Sequence, residues 1–219
     1  MAKTEQDIMV QNIRDYYVSA SEDQCEQGRA WYPAAYKLVS TIADYTGLNT
    51  ERITFALAAL SPRNPWRWNV FDAYSFAAAR AEGRTMPRAT TFKRNWAAAW
   101  AALDYGTDPW STSAPKVRAF VEAINGNSEA VVVDTWAVRI ATGGKRDRVK
   151  SDADYATIAG AYVRVAETFG EEPRAVQAIT WLVAQTEGLA SQRRGRHDLA
   201  FKAGTPSWLQ AAVAQEPIA

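Results

Sequence analysis

The sequence has almost none of the residues that form disulfides or bind transition metals. Its one cysteine, Cys25, cannot form an internal disulfide or hold an iron–sulfur cluster. Its one histidine, His197, excludes a histidine-rich metal site. We therefore predict no metal and no organic cofactor, and a lone thiol fits the reducing cytoplasm.

Long apolar runs and a charge excess of either sign are also missing. No window approaches eighteen uninterrupted apolar residues, and residues 1–17 are polar and mixed in charge, unlike a signal peptide. We therefore expect a soluble cytoplasmic protein without a membrane partner. The net charge is +1, from 25 basic and 24 acidic residues, so a nucleic-acid surface would have to be a local patch.

Apolar and aromatic residues are abundant. They make up 47% of the 219 residues and include nine Trp, nine Tyr and seven Phe, which is enough to bury a sizeable core. No linker rich in Pro or Ser and no internal repeat divides the chain. We predict a single domain over residues 1–219.

Spacings of three and four between apolar residues recur along the chain and predict an all-α fold. One example is the series Trp31, Ala35, Leu38 and Ile42. Glycines follow successive periodic segments, as they do at helix C-termini, and give about ten short helices. These glycines are Gly47, Gly83, Gly106, Gly126, Gly143 with Gly144, and Gly170. Only residues 130–133 read as extended, either as one strand or as a buried connector, and we favour the connector because no partner strand is evident.

Two helix starts carry residues of chemical interest. Ser113 can cap a helix whose first turn contains Pro115 and Lys116. The backbone N–H groups at a helix start, together with a nearby cation, form a site that can bind a phosphate group. Asp134 closes an apolar run and opens the next helix. A carboxylate there either caps the helix, which is the commoner role, or stands at the edge of a cleft.

The stretch 110–139 resembles the helix-hairpin-helix DNA glycosylases, such as endonuclease III and the oxoguanine glycosylases. In that family a Leu-Pro-Gly-x-Gly-x-Lys hairpin precedes a helix, and a Val-Asp-Thr-His-x-x-Arg segment follows. Lys116 and Asp134 match the family's lysine and aspartate in type and in their separation of eighteen positions. Thr135 and Arg139 match as well.

The resemblance implies a two-lobed, multi-helix glycosylase fold that binds duplex DNA in a cleft and flips a base out of the helix. It is strongest over residues 50–145, and the flanking helices would form the second lobe. Asp134 would stabilise the cationic sugar or activate the nucleophile. Lys116 would attack the sugar as a neutral amine in the branch that also cleaves the strand. Relatives in bacteriophages are associated with base hypermodification, so repair and modification both remain open.

An upstream stretch, residues 53–70, resembles the family's early helix and the turn that fills the gap left by the flipped base. Arg63 and Asn64 would occupy that turn. Trp66 and Trp68 would either stack on bases or pack in the core.

Other features leave a second function open. Thr112 and Ala114 replace the hairpin glycines, and Pro115 has no N–H to donate to a phosphate. The basic stretches 144–150, which includes Lys145 and Arg146, and 193–196 either contact DNA or are solvated loops. The alternative function is a catalytically inactive module of the same helical fold that binds DNA or a protein. A third possibility is that the match reflects helix-cap chemistry alone.

Overall fold

The structure is a computed structural model, and it describes residues 4–106, 114–192 and 206–214, apart from the side chains of 187–192 and 211–214. Within these residues it contains ten helices and no strand. The prediction of an all-α chain with about ten helices is confirmed. No helix in the described part is long and apolar enough to cross a membrane.

The chain divides into two compact units, and the division falls inside the second helix, after Pro33. Unit 1 contains the described residues up to Pro33 and those from Gly126 to the end of the ninth helix. Unit 2 contains the described residues of Ala34–Asn125 and the tenth helix. Both units are therefore built from segments that are far apart in the sequence.

Unit 1 packs its helices around a core that includes Ile13, Val138, Ile158 and Tyr162. Its helices are α1 (Glu5–Val18), the first half of α2 (Glu22–Thr46), α7 (Thr135–Ala141), α8 (Asp152–Phe169) and α9 (Pro173–Gln192). The stretch 130–133 is buried and belongs to no strand, as expected of a connector.

Unit 2 is organised around a helix that is buried on nearly all sides. Its helices are the second half of α2, α3 (Thr50–Leu60), α4 (Trp66–Ala81), α5 (Lys93–Tyr105), α6 (Pro115–Ile124) and α10 (Ser207–Ala214). The central helix, α3, packs against α4, α5 and α6. Its small alanines let those neighbours approach closely, so most of its residues from Ile53 onward are inaccessible to solvent.

Most helix boundaries lie where local chemistry predicts them. Gly106 and Gly170 cap α5 and α8 in the left-handed conformation, and Ser151 caps α8 by accepting a hydrogen bond from Asp154 N–H. The predicted cap of α6 is wrong by one residue. The cap position is Ala114, not Ser113, because the residue before a proline is disfavoured in the helical conformation and Pro115 takes the first helical position.

The helices α2 and α9 approach each other closely at Gly28, and substitution of this glycine tests the contact. A Cβ added at Gly28 would lie 2.3 Å from Ile179 Cγ1 and 2.8 Å from its backbone nitrogen. We expect Gly28→Ala to lower the free energy of unfolding by about 1–3 kcal/mol, although alanine favours helix, because two helices would have to separate.

Gly160→Ala in α8 is the matched control. The nearest atom to its added Cβ is Gln6 Nε2 at 3.4 Å, the end of a flexible side chain. This variant should be neutral or more stable, by up to about 1 kcal/mol. Equal stability of the two variants in urea unfolding would contradict the close approach of α2 and α9.

Candidate active site

The position of Asp134 depends on the buried connector that precedes it. The hydroxyl of Tyr155 accepts a hydrogen bond from Val133 N–H at 3.1 Å and donates one to Val131 C=O at 2.9 Å. Asp134 N–H donates to Val132 C=O at 3.0 Å. Because the connector has no partner strand, these bonds satisfy its buried backbone groups and fix the start of α7.

The Asp134 side chain caps α7. Its Oδ1 accepts a hydrogen bond from Ala137 N–H at 2.8 Å, and its backbone is extended. The side chain is partly exposed. Of the two roles considered for Asp134, capping is therefore present, and it leaves a half-buried carboxylate at the surface of unit 1.

The charge of Asp134 contributes to the raised pKa values of two buried tyrosines. Burial raises the pKa of Tyr32 well above its usual value, and the Asp134 charge raises it further, while Arg174 opposes this rise. Burial also raises the pKa of Tyr162, with a further contribution from Asp134. The Tyr32 hydroxyl donates to Gln177 Oε1 at 2.7 Å. Both phenols therefore stay protonated and can act only as neutral hydrogen-bonding groups.

Aromatic side chains adjoin this cluster on α2 and α9. The ring of Trp31 lies edge-on to Tyr32 at 4.8 Å between centroids and edge-on to Trp181 at 6.1 Å. Sequence reasoning missed Tyr32, Tyr155 and Tyr162, since no local pattern separates a tyrosine near a carboxylate from one in the core. Tyr32 and Tyr155 differ from ordinary core residues in that their hydroxyl groups have hydrogen-bond partners far along the chain.

Arg139 and Lys145 both follow Asp134 in the chain, Arg139 within α7 and Lys145 in the loop after it. The guanidinium of Arg139 lies 5.4 Å from the centroid of the Trp136 ring and 3.9 Å from an Asp147 carboxylate oxygen. Lys145 is exposed, in the loop that begins with Gly143. These two cations are accessible to an anionic ligand.

Arg146, in the same loop as Lys145, is engaged in an ion pair that anchors this loop. It forms two hydrogen bonds to the Asp154 carboxylate, at 2.5 and 2.7 Å, and its side chain is 17% exposed. Lys150 N–H donates to the same carboxylate at 2.8 Å. The basic loop is thus anchored on α8 by one carboxylate, with Lys145 left exposed.

Lys116 lies in unit 2, whereas Asp134 lies in unit 1. It is partly buried and follows Pro115 in the first turn of α6, where Ala114 provides no side-chain cap. Ser113 lies outside the described residues.

The three remaining predicted site residues lie between the end of α3 and the first residue of α4, which is Trp66. Arg63 is exposed, and Asn64 and Trp66 are partly buried. The Asn64 amide donates to Leu60 C=O at 3.2 Å and to the Asp72 carboxylate at 2.9 Å. Arg63 therefore projects outward from a turn that Asn64 holds in place.

The surroundings of Asp134 suit stabilisation of a positive charge. A half-buried carboxylate attracts a cation more strongly than a fully hydrated one does, because less solvent screens its charge. Among the described residues, no group of three His, Cys, Asp or Glu side chains is placed to hold a metal ion. The chemistry that these residues offer is electrostatic and acid–base.

Fold and site together define an all-helical protein of two compact units with a carboxylate at the start of a short helix. The chain belongs to DUF7178, a family of unknown function, whose sequence profile matches residues 1–188. No curated protein and no solved structure matches the chain.

Two substitutions of Asp134 separate its capping role from its charge. We expect Asp134→Ala to lower the free energy of unfolding by about 1 kcal/mol, because the Ala137 N–H loses its acceptor. Asp134→Asn keeps a side-chain oxygen and should change it by only a few tenths of a kcal/mol. Urea unfolding measures both, and equal loss in the two variants would contradict the capping role.

The Arg146 pair should make stability depend on pH. Hydrogen bonds from Arg146 lower the pKa of Asp154 against the opposing effect of burial. A carboxyl with a lowered pKa contributes stability above its unfolded pKa and loses it as pH falls through the folded value. We expect Asp154→Asn to lower the free energy of unfolding by about 1 kcal/mol at pH 7, and less and less below about pH 4.

Asp147→Asn is the control for this titration. The Asp147 carboxylate is half exposed and lies 3.8 Å from Arg148 and 3.9 Å from Arg139. Exposed ion pairs of this kind contribute little, so its effect should stay within about 0.5 kcal/mol. An Asp154→Asn effect that is the same at pH 7 and in acid would show that the charge pair is not its cause.

Proposed function

We propose that this protein binds duplex DNA and acts on a flipped-out base by cleaving its N-glycosidic bond, as a base-excision glycosylase does. The target is a damaged base or a modified pyrimidine of the kind found in hypermodified bacteriophage DNA. The observation that supports this most is the half-buried Asp134 carboxylate, which caps the start of α7 and whose negative charge adds to the effect of burial in raising the pKa values of Tyr32 and Tyr162. The reaction would take place in the cytoplasm.

In the proposed reaction, Asp134 stabilises the positive charge that develops on the sugar. The bond between the sugar C1′ and the base breaks, and the base departs with the bonding electrons and takes up a proton. Water adds to C1′ and loses a proton, which leaves an abasic sugar. Tyr32 and Tyr162 are neutral, so among these three groups it is Asp134 that supplies the negative charge for this step.

A lyase step is proposed for Lys116. As a neutral amine its Nζ would attack C1′ and form a Schiff base with the opened sugar, with loss of the base or of water. The partial burial of Lys116 and its place in the first turn of α6 are compatible with that role. Arg139 on α7 and Lys145 in the following loop would contact phosphates, and Arg146 would hold the loop that contains Lys145.

One observation favours a second candidate. Capping of α7 already accounts for the aspartate, and α6 begins with a proline that cannot donate to a phosphate. These facts fit a catalytically inactive module that binds DNA or a protein.

The test measures base release and covalent trapping with the full chain. Wild type, Asp134→Asn and Lys116→Ala are incubated with duplexes that carry an abasic site, a damaged base or a modified pyrimidine, with and without borohydride. We expect Asp134→Asn to lose base release by at least about 100-fold while its unfolding curve stays near wild type. We expect Lys116→Ala to lose the trapped adduct.

The controls are Asp44→Asn and Lys37→Ala, which change exposed residues on α2. Base release that persists in Asp134→Asn would overturn the catalytic role of Asp134. Salt-dependent duplex binding without any product would favour an inactive DNA-binding module, and lack of DNA affinity would favour a protein partner.

A further inference from the structure

Two loops of unit 2 are tied to each other through one buried carboxylate. Asp72 is 4% exposed, and its Oδ2 accepts hydrogen bonds from the Asn64 amide at 2.9 Å, from Thr90 N–H at 2.8 Å and from the Thr90 hydroxyl at 2.6 Å. The hydroxyl of Thr91 donates to Pro62 C=O at 2.7 Å. The turn at 61–65 and the segment at 90–92 therefore form one supported surface.

Arg63 is held on this surface in a strained conformation. Its φ is +56°, and it is the one described residue other than glycine with a positive φ. This conformation costs roughly 1 kcal/mol or more for a residue with a Cβ, and it persists only where the surroundings enforce it. The side chain is exposed, so packing in the core does not explain an arginine here.

An exposed aromatic ring lies beside Arg63. Phe92 is 43% exposed, and the guanidinium groups of Arg63 and Arg94 lie 5.7 and 5.5 Å from the centre of its ring. Lys93 is exposed next to them. We call Arg63, Phe92, Lys93 and Arg94 the Phe92 surface.

The stretch of chain that contains the Phe92 surface is rich in basic residues. Residues 61–95 contain seven basic and two acidic side chains, although the whole chain carries only +1. Asp72 is buried by its hydrogen bonds, and Glu82 pairs with Arg84 at 2.5 Å. Arg80 pairs with Asp104, outside this stretch, so the positive charge assigned to the surface is that of the exposed Arg63, Lys93 and Arg94.

We propose that the Phe92 surface binds single-stranded DNA, with the Phe92 ring stacked on a base and the three cations against the flanking phosphates. An aromatic ring among cations on a groove or patch is the arrangement that binds unpaired nucleotides with little sequence preference. The guanidinium groups of Arg63 and Arg94 lie over the ring in the free protein, and a base that stacks on Phe92 would displace them toward the flanking phosphates. The inference rests on the proposed function in that the partner is DNA, and it does not require Asp134.

The test measures affinity for a labelled oligothymidylate of about ten nucleotides by fluorescence anisotropy at several salt concentrations. We expect Phe92→Ala to weaken binding about tenfold and Phe92→Trp to retain it, because tryptophan also stacks. Arg63→Gly should reduce the magnitude of the slope of log affinity against log salt concentration by about 0.7, because each phosphate contact to a single strand contributes about that much. It should fold at least as stably as wild type, because glycine accepts a positive φ without strain.

The control variants are Tyr105→Ala, which removes an aromatic side chain that is 75% exposed in the same unit, and Arg14→Ala, which removes an exposed cation from α1. Binding that weakens equally in Phe92→Ala and Tyr105→Ala would overturn the proposal. So would equal affinity for polyglutamate, since the surface would then recognise charge alone.

Asp134→Asn separates this proposal from the proposed function. If Phe92→Ala loses single-strand binding while no duplex releases a base, the Phe92 surface is supported and the glycosylase function is not. If Asp134→Asn loses base release while Phe92→Ala binds the oligonucleotide as wild type does, the glycosylase function is supported and the Phe92 surface is not. Both stand if Asp134→Asn loses base release but keeps single-strand binding that Phe92→Ala loses.

Discussion

The site in unit 1 depends on the two hydrogen bonds of the Tyr155 hydroxyl. An extended segment buried without a partner strand leaves backbone donors and acceptors that would cost roughly 1–3 kcal/mol each if unpaired. Tyr155 satisfies one donor and one acceptor of the connector at once. With the connector fixed, Asp134 is placed at the start of α7, and its carboxylate lies within the electrostatic reach of Tyr32 and Tyr162.

In each unit one carboxylate organises surface loops by accepting several hydrogen bonds, Asp154 in unit 1 and the buried Asp72 in unit 2. Asp154 anchors the basic loop through Arg146 and Lys150, and Asp72 joins the two segments that form the Phe92 surface. In both places the hydrogen-bond donors compensate the negative charge of the carboxylate. The nearby cations that remain exposed, Lys145 in unit 1 and Lys93 in unit 2, are then available to a polyanion.

Local chemistry predicted the helices well. Glycine at 106 and 170 and serine at 151 act within a few residues of the backbone groups they satisfy, so their effect is legible in the sequence. The boundary after Pro33 was not predicted, because it lies inside the continuous helix α2 and no break in the helix marks it. The division into two units at that point depends on which distant segments pack together.

The sequence by itself determined the all-helical class, most helix ends and the presence of a carboxylate at the start of α7, since these follow from periodicity and capping. Tertiary structure alone decided which groups surround that carboxylate. Tyr32 and Gln177 are 145 residues apart in the chain and share a hydrogen bond, and Arg146 turns out to be engaged by Asp154. Such pairs form because burial forces polar groups to find partners, and the choice of partner depends on how the helices pack.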